Sequence, residues 1–208
     1  MNRPLLRFAL ALGFPAAACA DDSFDATIRS GFVDTGLSTK HVTSPEFSVY
    51  HACDESGTQA IGFTYVSFKW SDRRFTVEAI PGTSGRATTD RSGSVRWNVF
   101  FLDYRYSIPL SKSWSLVLSP RLGAARGSES GTAAHTGEAM ADYLEHYSVD
   151  SAWRWAAEAQ ACVKWQLGAG WHSQFGVVVT RLKNDHSNLP LAKAISSIQG
   201  VLGVSYSF

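Results

Sequence analysis

Between residues 153 and 167 apolar and polar side chains alternate almost without a break, and this stretch limits the fold more than any other. Trp155, Ala157, Ala159, Ala161, Val163, Trp165 and Leu167 share one parity, while Arg154, Glu158, Gln160, Cys162, Lys164 and Gln166 share the other. A period of two belongs to a strand; on a helix of 3.6 residues per turn the three charges would fall among the Trp face. Trp155 and Trp165 are ten positions apart, which is ~33 Å of strand at ~3.3 Å per residue. Tilted by ~40°, such a strand climbs roughly 25 Å, the height of a membrane barrel's apolar band between its aromatic rows. A sheet sandwich in water has no reason to space Trp this way.

The pattern recurs. In 113–125, Trp114, Leu116, Leu118, Pro120, Leu122 and Ala124 oppose Ser113, Ser115, Ser119, Arg121 and Gly123. Pro120 cannot donate to a strand ladder and predicts a bulge or a local gap in pairing. In 171–182, Trp171, Phe175, Val177 and Val179 oppose His172, Gln174, Gly176 and Thr180. Residues 94–108 begin with Val95, Trp97 and Val99 on the apolar face and continue with Leu102, Tyr104, Tyr106 and Ile108. That change of phase near Phe100 and Phe101 predicts a β-bulge. Weaker strand patterns cover 26–36, 59–70 and 75–80. The last thirteen residues put Phe208, Tyr206, Val204, Leu202, Gly200 and Ile198 on one face and small or polar residues on the other. They read as a closing strand paired with the one beginning near Ala26, and the ending Tyr206-Ser207-Phe208 resembles the closing strand of bacterial outer-membrane barrels, which implies that Tyr206 and Phe208 are the signal read by the insertion machinery.

Short connections at 70–74, 109–112 and 167–170 alternate with long ones at 39–58, 82–93, 127–150 and 184–195. This is the rhythm of short periplasmic turns and longer extracellular loops. The expected fold is all-β: a transmembrane antiparallel up-and-down β-barrel of eight strands, both termini on the periplasmic side. Counting 47–52 as a strand and splitting the N-terminal segment would make ten. Trp155, Trp165, Trp114 and Trp171 are expected in the aromatic girdle. Eight strands leave an interior that side chains can fill, so Arg121, Arg154, Glu158 and Lys164 are expected to pair there as a lumen charge network, because unpaired buried charge is costly. That makes the barrel a plug and not a pore.

Composition fits this address. Arg3 and Arg7, an apolar run at 5–14 and Ala18-Cys19-Ala20 ahead of Asp21 form the parts of a cleavable signal peptide over 1–20. The mature domain is then 21–208. Cys19 could instead be a lipoprotein cysteine, but Ala16-Ala17-Ala18 lacks the usual leading Leu. Cleavage leaves 17 basic against 18 acidic residues, and no basic stripe marks a nucleic-acid partner. Mean hydropathy of −0.09 argues against a helical membrane protein and suits a barrel, whose alternation averages out. No later run of 18 apolar residues exists to span a bilayer as a helix. Two cysteines remain: Cys53, expected in the first outer loop, and Cys162, expected inward near the periplasmic end. On that topology they do not bond.

Several strings in the second half carry a family resemblance. Tyr106-Ser107-Ile108-Pro109-Leu110-Ser111 followed by Trp114-Ser115-Leu116 resembles the Y-x-x-P-L-S-x-x-W-S-L hairpin of the MipA/OmpV family. Residues 143–149 sit where that family carries a tyrosine-rich outer loop. Arg181-Leu182 with Asn184-Asp185 and Leu189-Pro190-Leu191 is similar to its R-L-x-x-D loop, and Gly203, Tyr206 and Phe208 fit its ending. The resemblance runs from about Tyr104 to the end. It implies an outer-membrane barrel, and a scaffold linking a lytic transglycosylase to a murein synthase.

Catalytic chemistry finds little purchase. His186-Ser187-Asn188 resembles the H-x-S-N string of lipid A deacylases, but the spacer is absent and no Glu follows, so a nucleophile–base pair cannot be assembled from it. His172 and Ser173 are adjacent on a strand and point apart. His135 and His146 have no identifiable co-ligands. No cofactor and no metal is expected, and no enzymatic role. The expected partners are outer-membrane lipid and lipopolysaccharide, the barrel-assembly machinery and murein transglycosylase or synthase. A lipid hydrolase, and a small channel or surface adhesin acting through 127–150, are the alternatives.

Overall fold

The computed structural model describes residues 22–54, 56–79, 85–137, 140–182, 189–192 and 195–208, and everything below concerns these. The segment 1–20 and the string 186–188 lie outside them. Nine antiparallel strands form one sheet: β1 (Ser23–Asp34), β2 (Thr39–Ala52), β3 (Gln59–Ala79), β4 (Arg86–Pro109), β5 (Trp114–Gly137), β6 (Met140–Asp150), β7 (Arg154–Gly168), β8 (Trp171–Leu182) and β9 (Ile195–Ser207). β9 pairs with β1, from Ser23 opposite Ser207 to Asp34 opposite Ser196, and this closes the sheet.

Eight of these strands make the wall. Following partners from Phe24 leads to Val49, Phe63, Leu102, Leu122, Ala157, Arg181 and Ser196, and then back to β1 at Asp34. One circuit therefore climbs ten residues along β1. That stagger tilts the strands by ~40° to the barrel axis. β6 is the outer continuation of β7, not another wall strand. β5 pairs with β7 from Trp114 to Ala125 and with β6 from Ser128 to Gly137, and the register slips by one residue between them. At the slip the Ser151 N–H donates to the Gly127 carbonyl at 2.8 Å.

Eight strands were expected and eight close the wall, but two of the expected pieces sit differently. The short connection at 70–74 does not exist: 59–70 and 75–79 belong to the single strand β3, in unbroken register with β4, and residue 80 lies outside the described residues. The segment 39–58 is no long outer loop, since most of it is β2. Likewise 86–93 and 128–150 are mostly strand, extending the hairpins β3–β4 and β5–β6 beyond the rest of the wall. Their outer faces are largely polar because water, and no longer lipid, wets a sheet that has left the apolar band. Without that contrast their alternation looks like loop.

Shifting β2 into the wall moves Cys53 from an outer loop to the turn at the end that carries both termini. Both cysteines are free, Cys53 exposed and Cys162 buried inside the barrel. At this same end lie the tight turn 169–170, with Ala169 at φ 48° and Gly170 at φ 81°. A side chain at Gly170 would also collide with the Ser207 carbonyl, only 2.5 Å from where its Cβ would stand. Pro120 does mark a gap. β4–β5 pairing skips from Asp103 opposite Arg121 to Tyr106 opposite Leu118, with no change of register.

The bulge expected near Phe100 and Phe101 is absent, for the register there is constant on both sides of β4. Val95, Trp97, Val99 and Phe101 point inward and are buried, and Asp103 and Arg105 continue the same inward row. The lumen itself changes character along the strand. Toward the outer end it is packed with apolar side chains; toward the terminal end it is lined with charge.

Candidate functional site

The charged half of the lumen is built from alternate positions on all eight wall strands. Arg29 of β1 grips Glu158 of β7 with both terminal nitrogens, at 2.5 and 2.7 Å, and its Nε donates to Glu46 of β2. Arg121 of β5 donates to Glu158 (2.7 Å), Glu46 (3.0 Å), Asp103 of β4 (2.5 Å) and the Tyr50 hydroxyl (3.1 Å). Thr64 of β3 and Thr180 of β8 donate to Asp103 and Glu158 at 3.1 and 2.6 Å. Nearer the termini a second group forms around Asp25, which Arg105, Lys164 and Gln174 approach. The Arg105 guanidinium lies over the Tyr50 ring at 3.3 Å, and Lys164 donates to Ser205 of β9 at 2.9 Å. Four cations, Arg29, Arg105, Arg121 and Lys164, thus meet four acids, Asp25, Glu46, Asp103 and Glu158. Bidentate and shared pairs of this kind offset the cost of taking charge out of water.

Of the lumen residues singled out by sequence, Arg121 and Glu158 meet each other, whereas Lys164 joins the Asp25 group. Arg154 lies four residues further toward the outer end on the same face of β7 and is half-buried. Asp25, Arg29, Glu46, Tyr50, Asp103 and Arg105 were not foreseen. Their signal was present: Asp25 and Arg29 alternate with Phe24 and Ile28, and Glu46 and Ser48 with Phe47 and Val49.

Above the charges, Val66, Phe68, Val99, Trp97 and Phe101 form an apolar layer, into which Leu189, Leu191 and Ala192 pack from the connection between β8 and β9. This inward-turned piece is latched. The Leu191 N–H donates to Glu129 Oε2 at 2.9 Å, the Tyr147 hydroxyl to Glu129 Oε1 at 2.7 Å, and Arg74 to the Pro190 carbonyl at 3.1 Å. Burial pushes the Glu129 carboxyl above its ordinary range, against the pull of the Tyr147 hydroxyl and the Leu191 N–H. Among the described residues no cluster of His, Cys, Asp and Glu suits a metal ion.

On the outside, Trp155 is 80% exposed, and Trp165, Trp114 and Trp171 also face outward. Trp114 stacks on Trp165 at 5.5 Å, and Trp171 meets Tyr206 at 4.8 Å, both near the terminal end. Tyr65, Phe100 and Trp153 make a row nearer the outer end, with centroids 5.1 and 6.2 Å apart. Phe208 follows β9, and its N–H donates to the Asp22 carbonyl at 3.0 Å.

An apolar outside, a charged and packed inside and a closed eight-stranded wall define a bacterial outer-membrane β-barrel. The structure is similar to the Neisserial surface protein A, with a TM-score of 0.55 and 13% identity, covering 90% of this chain and 97% of that one. Weaker likenesses, too low to argue from, include the attachment invasion locus protein Ail of Yersinia pestis (TM-score 0.44, 11% identity, 91% and 99% covered). The outer membrane protease OmpT of Escherichia coli is another (0.42, 11%, 90% and 97%). No curated protein matches the sequence significantly. The profile of the family described as MltA-interacting protein MipA matches residues 13–208, and the chain belongs to that family.

Proposed function

We propose that this outer-membrane barrel is a non-enzymatic scaffold of the MipA type, tying murein-remodelling enzymes to the envelope. The observation that carries the reading is the family match over nearly the whole chain, a family named for its interaction with MltA. With both termini periplasmic, the surface available to a murein transglycosylase or synthase is the turn-bearing end. There the turn 110–113 presents Leu110, 60% exposed, held by N–H groups of Leu110 and Ser111 donating to the Trp114 carbonyl at 2.8 and 3.1 Å. In this reading Trp155, Trp165, Trp114 and Trp171 are girdle residues, and Tyr206 and Phe208 carry the signal for the assembly machinery. Arg121, Glu158 and Lys164 hold the lumen shut. Crosslinking in intact envelopes, followed by identification of partners, tests it. Recovery of a murein transglycosylase or synthase supports the scaffold; recovery of only the insertion machinery and lipopolysaccharide counts against it.

A surface-binding role is the second reading. It draws on the β5–β6 hairpin, which stands beyond the wall with Tyr143 and Leu144 exposed. Shortening that hairpin would abolish binding to host or neighbouring surfaces while leaving the barrel intact.

A further inference from the structure

On the outer face of β3 and β4, Lys69 stands directly opposite Arg96, and both side chains are exposed. Like charges facing each other across a ladder are destabilising unless something negative lies between them. Among the described residues the ion pairs on this face are Arg126–Asp150 and Arg73–Asp90, and neither involves Lys69 or Arg96. Next along the ladder, the Asn98 side-chain oxygen accepts from Tyr65 at 2.9 Å and from Ser67 at 3.2 Å. With its oxygen occupied, the hydrogen-bonding capacity left to that side chain is its amide N–H donors. Arg126, already paired with Asp150 at 2.9 Å, stands opposite Asn98 on β5, so two facing cations and an amide lie on β3 and β4 with a third, paired cation at their border.

Height decides what can reach them. Arg96 lies ten residues beyond Tyr106 on the same face of β4, about 25 Å along the barrel axis at ~3.3 Å per residue and ~40° of tilt. That equals the climb from Trp165 to Trp155. The cluster begins where the apolar band stops, just past the Tyr65–Phe100 row, at the level of outer-leaflet headgroups.

We propose that Lys69, Arg96 and Asn98, bordered by Arg126, form a binding site for a phosphate of the glycolipid headgroup of outer-leaflet lipopolysaccharide. Arg supplies a planar fork for two phosphate oxygens and Lys a mobile point charge. The site goes beyond the scaffold reading. It rests only on the outer-membrane address and on the β3–β4 hairpin facing outward.

The test uses the full mature chain refolded in detergent, with bisphosphorylated lipid A as probe and retained lipid counted by native mass spectrometry. Wild type should hold that lipid roughly tenfold more tightly than the Lys69→Gln/Arg96→Gln variant, the loss of charge-assisted hydrogen bonds, and the difference should shrink with salt. Arg181→Gln, exposed on the opposite side of the wall, should bind as wild type does. In detergent free of lipid A, Lys69→Gln alone should raise the unfolding midpoint by relieving repulsion, and adding lipid A should reverse that order. Equal retention by the double variant would overturn the site, as would equal competition by dephosphorylated lipid A, phosphatidylglycerol or inorganic phosphate. Since no murein enzyme is present, a negative result leaves the scaffold untouched.

Discussion

Arg121 sits where four acceptors meet, on Glu46, Asp103, Glu158 and Tyr50. Removing any one acid leaves a buried guanidinium short of its counter-charge. Glu158→Ala strips partners from both Arg121 and Arg29, and should lower stability by ~3–5 kcal/mol, read as a fall in the urea midpoint of the refolded barrel. A midpoint equal to wild type would mean that the cluster does not hold the wall. Sequence parity could place Arg121, Glu158 and Lys164 on one face, because parity fixes the side of a strand. It says nothing of height. Lys164 is six residues from Glu158, or ~20 Å along β7, so it answers to Asp25 instead. Asp54 offers a second residue-level prediction, at the terminal end. Ser56 and Thr58 donate to its carboxylate, and so does the Gln59 N–H at 2.8 Å, holding its pKa down to about 2. A carboxylate with a depressed folded pKa stabilises above its unfolded value and loses that effect as pH falls through the folded one. Amide protection in the turn 56–58 should therefore hold above about pH 4 and fade between ~4 and ~2, whereas Asp54→Asn should show the low protection throughout.

The strands inside the apolar band were legible because lipid on one side and packed side chains on the other give each residue a distinct parity. The extended hairpins were not, since Arg73, Asp90, Ser92 and Ser130 on their outer faces meet water, and no lipid-facing apolar row marks the parity there. The supposed bulge near Phe100 had the opposite cause: the lumen side of β4 is apolar over Val95–Phe101, where it packs into the apolar layer, and its outer side only from Phe100 onward, so the apolar row changes face with no change of register. That layer depends on the latch between Glu129 and Leu191, outside the membrane band. The raised pKa of Glu129 means that the folded state holds its proton more tightly than the unfolded chain. Its contribution is fully present below the unfolded pKa of ~4.3 and is lost as pH rises through the folded value. Exchange at the Leu191 amide, corrected for intrinsic rate, should therefore become less protected between acid and neutral pH. Glu129→Gln keeps an acceptor without a titrating proton and should flatten that profile. A wild-type profile that is already flat would separate Glu129 from the latch.

At the scale of the whole molecule, closure is the step on which everything else waits. Only when β9 pairs with β1 do the two ends of the sheet lose their free edges, which no membrane tolerates. The alternation in residues 196–208 announced a strand with a lipid-facing side, and its partner near Ala26 followed from the end-to-end order of the pattern. The stagger of ten residues was not legible, because it is the sum of eight registers, each set by a different turn. Phe208 lies just past the last ladder position and contributes one hydrogen bond, to Asp22, with its ring 5.9 Å from that of Tyr206. So small a contact should matter little to the finished barrel: deleting Phe208 should shift the unfolding midpoint of protein refolded in detergent by less than ~1 kcal/mol. Delivery to the outer membrane should suffer much more, seen as a drop in the inserted fraction in envelope preparations with the chain accumulating in the periplasm. If both quantities fall together, the residue acts through stability; if neither moves, Phe208 is no signal. A loss of insertion with stability retained is the result expected of a side chain that is read during assembly and then simply faces lipid.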